Sequence, residues 1–244
     1  TIVFERELTM FLGALEVRIM QLGRGHTKGD TVVWLPREKV LFSGDQVEFG
    51  ATPYTGDAYH KDWPATLDRM LELGPEKLVP GRGEALLTAQ GSRQAIEGTR
   101  DFLLTMYQSV KAGREAGKSL SECYAETYRL LAPKYSEWVI FDHCLPFDIT
   151  RCYDESGEYP DPRIWTAERD TEMWHSLQAA LDRVADLHGL PVIDAALVSD
   201  GPVYEGGIRA VLKMNTAPDV FGWLLFWTDD WSAESDWKTW MLRP

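Results

Sequence analysis

The chain has 244 residues, of which 25 are Lys or Arg and 38 are Asp or Glu, so its formal net charge is −13. With 44% hydrophobic residues, this is the composition of a globular protein that can bury a core without disulfide crosslinks. The acidic balance leaves no basic surface to neutralise phosphates, which excludes a typical nucleic-acid-binding protein. The longest apolar stretches fall short of the roughly 20 residues that span a bilayer, and the first residues show no signal-peptide pattern. We therefore expect a cytoplasmic location and neither a membrane nor a nucleic-acid partner.

The first half of the chain predicts strands followed by helices. Alternating apolar and polar residues predict a β-meander over residues 2–19 and an antiparallel hairpin that pairs residues 31–35 with residues 40–42. The later predicted elements are a helix from Asp62 to Leu73, a strand over 77–79, and helices over about 92–116, 119–131 and 168–187. This order indicates a mixed sheet covered by helices on one side, which is an α/β layer.

The second half is less regular. Residues 135–165 are rich in aromatic residues, Pro and acidic residues, which predicts a functional loop or a wrapping arm. Strands are expected at residues 190–198, 203–214 and 221–227. The Trp residues of the C-terminal region favour a core or interface cluster over an aromatic platform for a ligand.

Three strand ends carry polar residues that could face a ligand. After the first strands comes Gly25-His26-Thr27-Lys28-Gly29-Asp30, where glycine leaves the imidazole of His26 uncrowded and Asp30 could fix its tautomer. The next strand ends in Ser43-Gly44-Asp45, and the third in Pro80-Gly81-Arg82-Gly83. Each segment alone could be an ordinary turn, but their order along the chain is informative.

In this order, the three segments resemble motifs of the metallo-β-lactamase fold family of metal-dependent hydrolases. The resemblance covers about residues 1–176 and implies the second half of an αββα sandwich. Beyond it, the sequence itself predicts a Trp-rich C-terminal extension containing strands at 177–244. The resemblance further implies that His26 is a terminal zinc ligand and that Asp45 bridges two metals, with one or two zinc ions as the cofactor. A small molecule would be the substrate, hydrolysed by a metal-activated water.

Two departures from the family pattern affect the expected metal site. The main metal motif, His-x-His-x-Asp-His, does not occur in the chain. Arg82 occupies a position where many members carry a metal-binding His, and a guanidinium has no free lone pair to ligate a cation. His143 is the candidate replacement ligand, although a structural role in a packed arm is equally compatible with its surroundings.

Arg82 and the loop residue His60 have alternative interpretations. Arg82 could act in the site by holding the carboxylate of Asp45 or an anionic group of the substrate, or it could pair with Glu84 at the surface. For His60, a solvated side chain is favoured. We expect His26 and Asp45 within about 8 Å of each other, since zinc ligands lie about 2 Å from the metal, and Arg82 close to Asp45.

Two other function classes stay open. The chain could be a non-catalytic interaction or scaffold chain, or a fragment of a hydrolase without its main metal motif; an iron-containing oxidoreductase of the same fold is a weaker alternative. One face of the predicted sheet needs a cover. The residues expected on that face are Phe4, Met10, Leu12, Val17, Ile19, Val33 and Leu41. We favour residues 190–244 as its cover, with a homodimer or a partner supplying the missing half as the alternatives.

Overall fold

The computed structural model describes residues 2–187. The strands predicted between residues 190 and 227, and their expected packing on the sheet, lie outside the described residues. Contacts divide the chain into two compact units, Thr1–Ile164 and Trp165–Pro244, and each unit is described by itself.

The first unit contains a five-stranded sheet. Its strands are β1 (Glu7–Leu12), β2 (Leu15–Met20), β3 (Val32–Leu35), β4 (Val40–Gly44) and β5 (Lys77–Pro80), which lie side by side in chain order. The first four strands pair antiparallel, and β5 joins β4 in parallel. The predicted meander and hairpin are therefore confirmed.

The register of the sheet determines which side chains enter the core. Trp34, Leu41 and Leu78 are paired across three neighbouring strands, and all three are buried. The next residues along each strand, which include Phe42, point to the opposite face, where Phe42 remains 40% exposed. The prediction that Leu41 lies on the open face is wrong, because its strand neighbours place it with the buried row, while Phe4, Met10 and Leu12 are exposed.

Helices follow the strands. They are α1 (Trp63–Glu72), α2 (Ala89–Glu115), α3 (Leu120–Tyr135) and α4 (Phe141–Glu155). Helix α1 has Pro64 in its first turn, where the missing N–H costs no hydrogen bond, and Gly74 follows its end with a φ of 64°. The long helix α2 contacts α1, α3, α4 and β5, so it is the central helix of this layer.

Helix α4 corrects the prediction of an irregular arm over residues 135–165. Phe141, Leu145, Ile149 and Cys152 recur at helical spacing, and all are buried. The segment before the helix is anchored by the Thr52 N–H, which donates to the carbonyl of Val139 at 3.0 Å. Burial of this face outweighs the cost of Pro146 inside the helix.

The N-terminus of α3 has the predicted capping box. The backbone N–H of Glu122 donates to Ser119 Oγ at 3.3 Å, and the Glu122 carboxylate accepts from the backbone N–H of Ser119 at 2.9 Å. The helix continues through Pro133 to Tyr135, past the predicted end at residue 131.

We expect Ser119→Ala to lower the free energy of unfolding by about 1 kcal/mol, because the backbone N–H of Glu122 loses its side-chain acceptor and the Glu122 carboxylate loses the Ser119 hydroxyl. Urea denaturation measures the change. Ser121→Ala, two residues into the same helix, serves as the control and should cost less; an equal loss in both variants would contradict the capping role.

The second unit begins with helix α5 (Ala167–Leu187). The Arg169 guanidinium lies over the ring of Trp165, 3.7 Å from the ring centroid. The domain boundary predicted after residue 176 falls within this helix and stays a prediction. Across residues 2–187, each helix is too short or too polar to cross a membrane.

Candidate functional site

His26 and Asp45 lie together at one edge of the sheet. His26 is in the loop after β2, and Asp45 directly follows β4. His26 Nε2 is 3.8 Å from Asp45 Oδ2, and the two side chains are 20% and 41% exposed. The expected proximity is confirmed, and both side chains are accessible from solvent.

Two glycines allow the loops around this pair to approach closely. A Cβ atom at Gly81 would overlap Asp45 Oδ1 and crowd the Asp45 backbone. A Cβ atom at Gly25 would overlap the side-chain amide of Gln46, which follows Asp45 in the chain. Glycine is therefore required at position 81, where backbone atoms would be crowded, whereas a side chain at position 25 would force the Gln46 amide to shift.

Asp30 organises the loop that carries His26. Its Oδ2 accepts hydrogen bonds from the backbone N–H of Thr27 at 2.7 Å and from Gln46 Nε2 at 2.9 Å. The structure does not show the predicted hydrogen bond from Asp30 to the His26 ring among the described residues. The carboxylate instead fixes the backbone next to His26 and ties it to the Asp45 segment.

Trp63 fixes the other side of His26. The two rings meet edge to face, with their centroids 6.0 Å apart at an interplanar angle of 76°. Trp63 is itself fully buried and donates from Nε1 to the carbonyl of Gln46 at 3.1 Å. The imidazole is thus held by packing against a side chain that helix α1 positions.

Arg82 pairs with Glu48, a residue that the sequence analysis missed. Arg82 Nη1 donates to Glu48 Oε1 at 2.7 Å; the Glu48 side chain is fully buried, whereas that of Arg82 is 41% exposed. The expected pairing of Arg82 with Asp45, and the alternative with Glu84, are both wrong. The backbone explains why Arg82 pairs with Glu48. The Phe49 N–H donates to the carbonyl of Arg82 at 3.1 Å, which holds residue 48 beside Arg82.

Burial determines the electrostatics of Glu48. Desolvation raises the pKa of Glu48 to about 7, the charge of Arg82 opposes this rise, and the nearby negative charge of Asp45 adds to it. The second carboxylate oxygen, Oε2, is buried and has no hydrogen-bond partner in the described part of the chain. A carboxylate between the apolar residues Val47 and Phe49, three positions after Asp45, is the sequence signal that could have indicated this residue.

His143 does not join the His26–Asp45 pair. It is half-buried in α4, its ring centroid is 6.1 Å from that of Phe147, and burial lowers its pKa. Between residues 2 and 187, no three His, Cys, Asp or Glu side chains are grouped closely enough to hold a metal ion. Two of the three predicted metal ligands are therefore brought together, and their ligand role stays a prediction.

His60 is not the solvated side chain that we expected. It is buried, with Nδ1 2.8 Å from Glu155 Oε2 and Nε2 2.8 Å from Thr55 Oγ1. Burial lowers the pKa of His60, against the opposing effect of the Glu155 carboxylate. Helix α4 supplies Glu155 from 95 residues away, which is why the local sequence did not reveal this contact.

Comparison with known proteins identifies the family of this region. The profile of the metallo-beta-lactamase superfamily matches residues 2–82, the segment that contains the three strand ends. This region of the chain is similar to the metallo-β-lactamase superfamily. The resemblance recognised in the sequence is thus confirmed for the part of the chain that carries His26, Asp45 and Arg82.

Individual metallo-β-lactamases are also similar to part of the chain. The type 2 metallo-beta-lactamase of Bacteroides fragilis is 31% identical over 105 residues, which cover 41% of this chain and 40% of that enzyme. The type 2 enzyme of Pseudomonas aeruginosa is 30% identical over 100 residues, covering 39% of this chain and 41% of its own length. The chain thus spans about two fifths of the length of these curated relatives.

A solved structure shows that the similarity of fold extends further along the chain. The inverting sec-alkylsulfatase Pisa1 from Pseudomonas sp. superposes with a TM-score of 0.52 over 77% of this chain and 33% of its own, at 18% sequence identity. At this identity the likeness concerns the fold alone.

Residues 162–241 match the profile of a domain of unknown function, DUF4390.

Proposed function

We propose that this chain carries part of the active site of a metal-dependent hydrolase that acts on a small molecule through a metal-activated water. The observation that supports this most directly is the His26–Asp45 pair, 3.8 Å apart at the edge of a metallo-β-lactamase sheet. Relatives that match about two fifths of the chain are named metallo-β-lactamases.

The donor atoms of the pair suit zinc. An imidazole nitrogen and a carboxylate oxygen are both zinc ligands, and zinc binds each at about 2.0–2.2 Å. Asp45 is the more exposed of the two side chains, so its carboxylate is open to a metal that approaches from solvent. Since a catalytic zinc takes about three protein ligands, His26 and Asp45 would supply only part of the set.

The residues around the pair have supporting roles in this proposal. A bound zinc would lower the pKa of its water to about 7 and polarise the bond to be cleaved. Asp30 and Gln46 hold the His26 loop against the Asp45 segment, and Trp63 limits rotation of the imidazole. These contacts fix both donors before a metal binds, which reduces the ordering cost of binding.

Several finer features belong to the same proposal. One or two zinc ions are the proposed cofactor, because mixed imidazole and carboxylate donors favour zinc over the alkaline-earth ions. His143 is proposed as a further ligand only if α4 moves toward the pair. A cytoplasmic location, and a homodimer or a partner that completes the sandwich, are also proposals.

Zinc binding by the full chain tests this function. We expect His26→Ala to weaken zinc binding by about 100-fold or more, since even residues that only orient a ligand cost 10–100-fold when removed. Calorimetric titration with zinc, together with elemental analysis of the dialysed protein, measures the change, and Asp45→Asn should behave in the same way.

His175→Ala is the matched control, because His175 is an exposed histidine of helix α5. Equal zinc affinity in the His26→Ala variant and the unmodified chain would show that the pair is not a metal site. A chain that takes up no zinc would favour the non-catalytic alternative.

A further inference from the structure

Building on the proposed hydrolase function, we propose that Arg82 binds an oxyanion of the substrate, a carboxylate or a sulfate-like group, beside the His26–Asp45 pair. The position at which many family members carry a metal-binding His would then serve substrate recognition instead. Arg82 would thus make the proposed hydrolase site selective for substrates that carry an anionic group.

The backbone places Arg82 next to the candidate metal ligands. Gly81, the preceding residue, packs directly against the side chain and backbone of Asp45. Its N–H donates to the carbonyl of Val47 at 3.0 Å, and the carbonyl of Arg82 accepts from the Phe49 N–H at 3.1 Å. The loops that follow β4 and β5 are thus joined by two backbone hydrogen bonds, and Arg82 extends from that junction.

The guanidinium retains unused donors. Only Nη1 donates a hydrogen bond to a side chain of the described residues, and the Arg82 side chain is 41% exposed. A guanidinium has five N–H donors in a planar fork, so the Nε and Nη2 edge stays available. That edge matches the two oxygens of a carboxylate or two oxygens of a sulfate or phosphate.

The buried carboxylate of Glu48 distinguishes Arg82 from an ordinary surface arginine. This carboxylate is fully buried and holds Nη1 at 2.7 Å, and the Glu48 backbone N–H donates to Thr99 Oγ1 of helix α2 at 3.2 Å. One end of the fork is therefore fixed from inside the protein, which lowers the entropy cost of binding an anion at the other. Arg93, by contrast, pairs with Glu97 where both side chains are more than half exposed.

The test uses the full chain without added metal, so that its result does not depend on the zinc site. Sodium acetate and sodium sulfate are titrated separately at constant ionic strength, and the ¹⁵Nε signals of labelled arginine side chains report binding. We expect a saturable shift of the Arg82 signal with at least one anion. Acetate alone would indicate a carboxylate substrate, and sulfate alone a sulfate or phosphate ester.

Variants separate specific binding from general charge effects. Arg82→Gln should weaken anion binding by about tenfold or more, as expected for loss of charge-assisted hydrogen bonds, whereas Arg93→Gln should leave it unchanged. Because Arg82→Gln alone leaves the buried Glu48 unpaired, the double variant Arg82→Gln/Glu48→Gln removes both charges together. It should fold and show the same loss of binding.

The anion and zinc titrations together distinguish failure of the oxyanion site from failure of the proposed hydrolase function. The absence of a saturable shift for either anion, or equal binding by the double variant and the unmodified chain, would overturn the oxyanion site. A chain that binds zinc through His26 but no oxyanion would refute only this inference. A chain that binds the oxyanion through Arg82 but no zinc would refute only the proposed hydrolase function.

Discussion

Replacing Arg151 by Ala is expected to lower the free energy of unfolding by about 3–5 kcal/mol, the range found when one partner of a buried ion pair is removed. The guanidinium is fully buried and donates to the backbone carbonyls of Ala58 at 2.8 Å, Tyr159 at 2.8 Å and Pro160 at 2.9 Å. It also lies 3.8 Å from the buried Glu155 carboxylate. The variant would leave the three carbonyls without their donor and would remove the positive charge beside Glu155, which keeps its hydrogen bonds from His60.

Urea denaturation measures this loss. Arg93→Ala is the control, because exposed pairs four residues apart on a helix contribute only about 0.3–0.5 kcal/mol. Arg151→Lys keeps the charge but cannot make all three hydrogen bonds to the carbonyls in the geometry of the guanidinium. Its stability should therefore lie between those of the Ala variant and the unmodified chain. A loss below about 1 kcal/mol in Arg151→Ala would contradict the role that we assign to the side chain.

The ionisation of Glu48 should make the protein less stable as the pH rises from about 4.5 to about 7. Burial raises the pKa of Glu48 from its ordinary value of 4.5 to about 7 in the folded chain. Within that window the folded state retains a proton that the unfolded state has lost, so stability decreases with increasing pH. The decrease attributable to Glu48 is about 3 kcal/mol, since each pKa unit corresponds to about 1.4 kcal/mol.

Unfolding free energies measured between pH 4.5 and pH 7.5 test this prediction. Glu48→Gln should remove the contribution of this carboxyl group, so the difference between the variant and the unmodified chain isolates it from other carboxylates such as Asp148, whose pKa burial also raises. Glu84→Gln, at an exposed carboxylate of the neighbouring loop, should follow the unmodified chain. Parallel pH profiles for Glu48→Gln and the unmodified chain would contradict a raised pKa.

The buried pair of His60 and Glu155 shows how helix α4 completes the first unit. Thr55 bonds to His60 Nε2 at 2.8 Å through its hydroxyl, and its backbone N–H donates to Asp148 Oδ1 at 2.6 Å. Glu155 accepts from the backbone N–H of His60 at 2.9 Å. Two acidic residues of α4 therefore satisfy the polar groups of the loop before α1, which fixes that loop beneath the helix.

Local patterns in the sequence were sufficient for much of the architecture. The alternation in β1 and β2, the turn between β3 and β4 and the capping box at Ser119 depend on residues close in the chain. The approach of His26 to Asp45 was also predictable, because β2 and β4 both run antiparallel to the β3 strand between them, so their C-terminal ends lie at the same edge of the sheet. The resemblance to the metallo-β-lactamase family was recognised from short segments of the sequence, and the matching profile covers residues 2–82.

Other features were decided only by tertiary structure. Helix α4 forms despite Pro146 because its apolar face is buried, and that face has no partner within its own segment. Arg82 selects Glu48 across 34 residues, and His60 selects Glu155 across 95, because burial makes an unpaired charge or polar group more costly than any local alternative. Such choices depend on which side chains the fold excludes from water, and a local pattern in the sequence does not name the partner that each side chain takes.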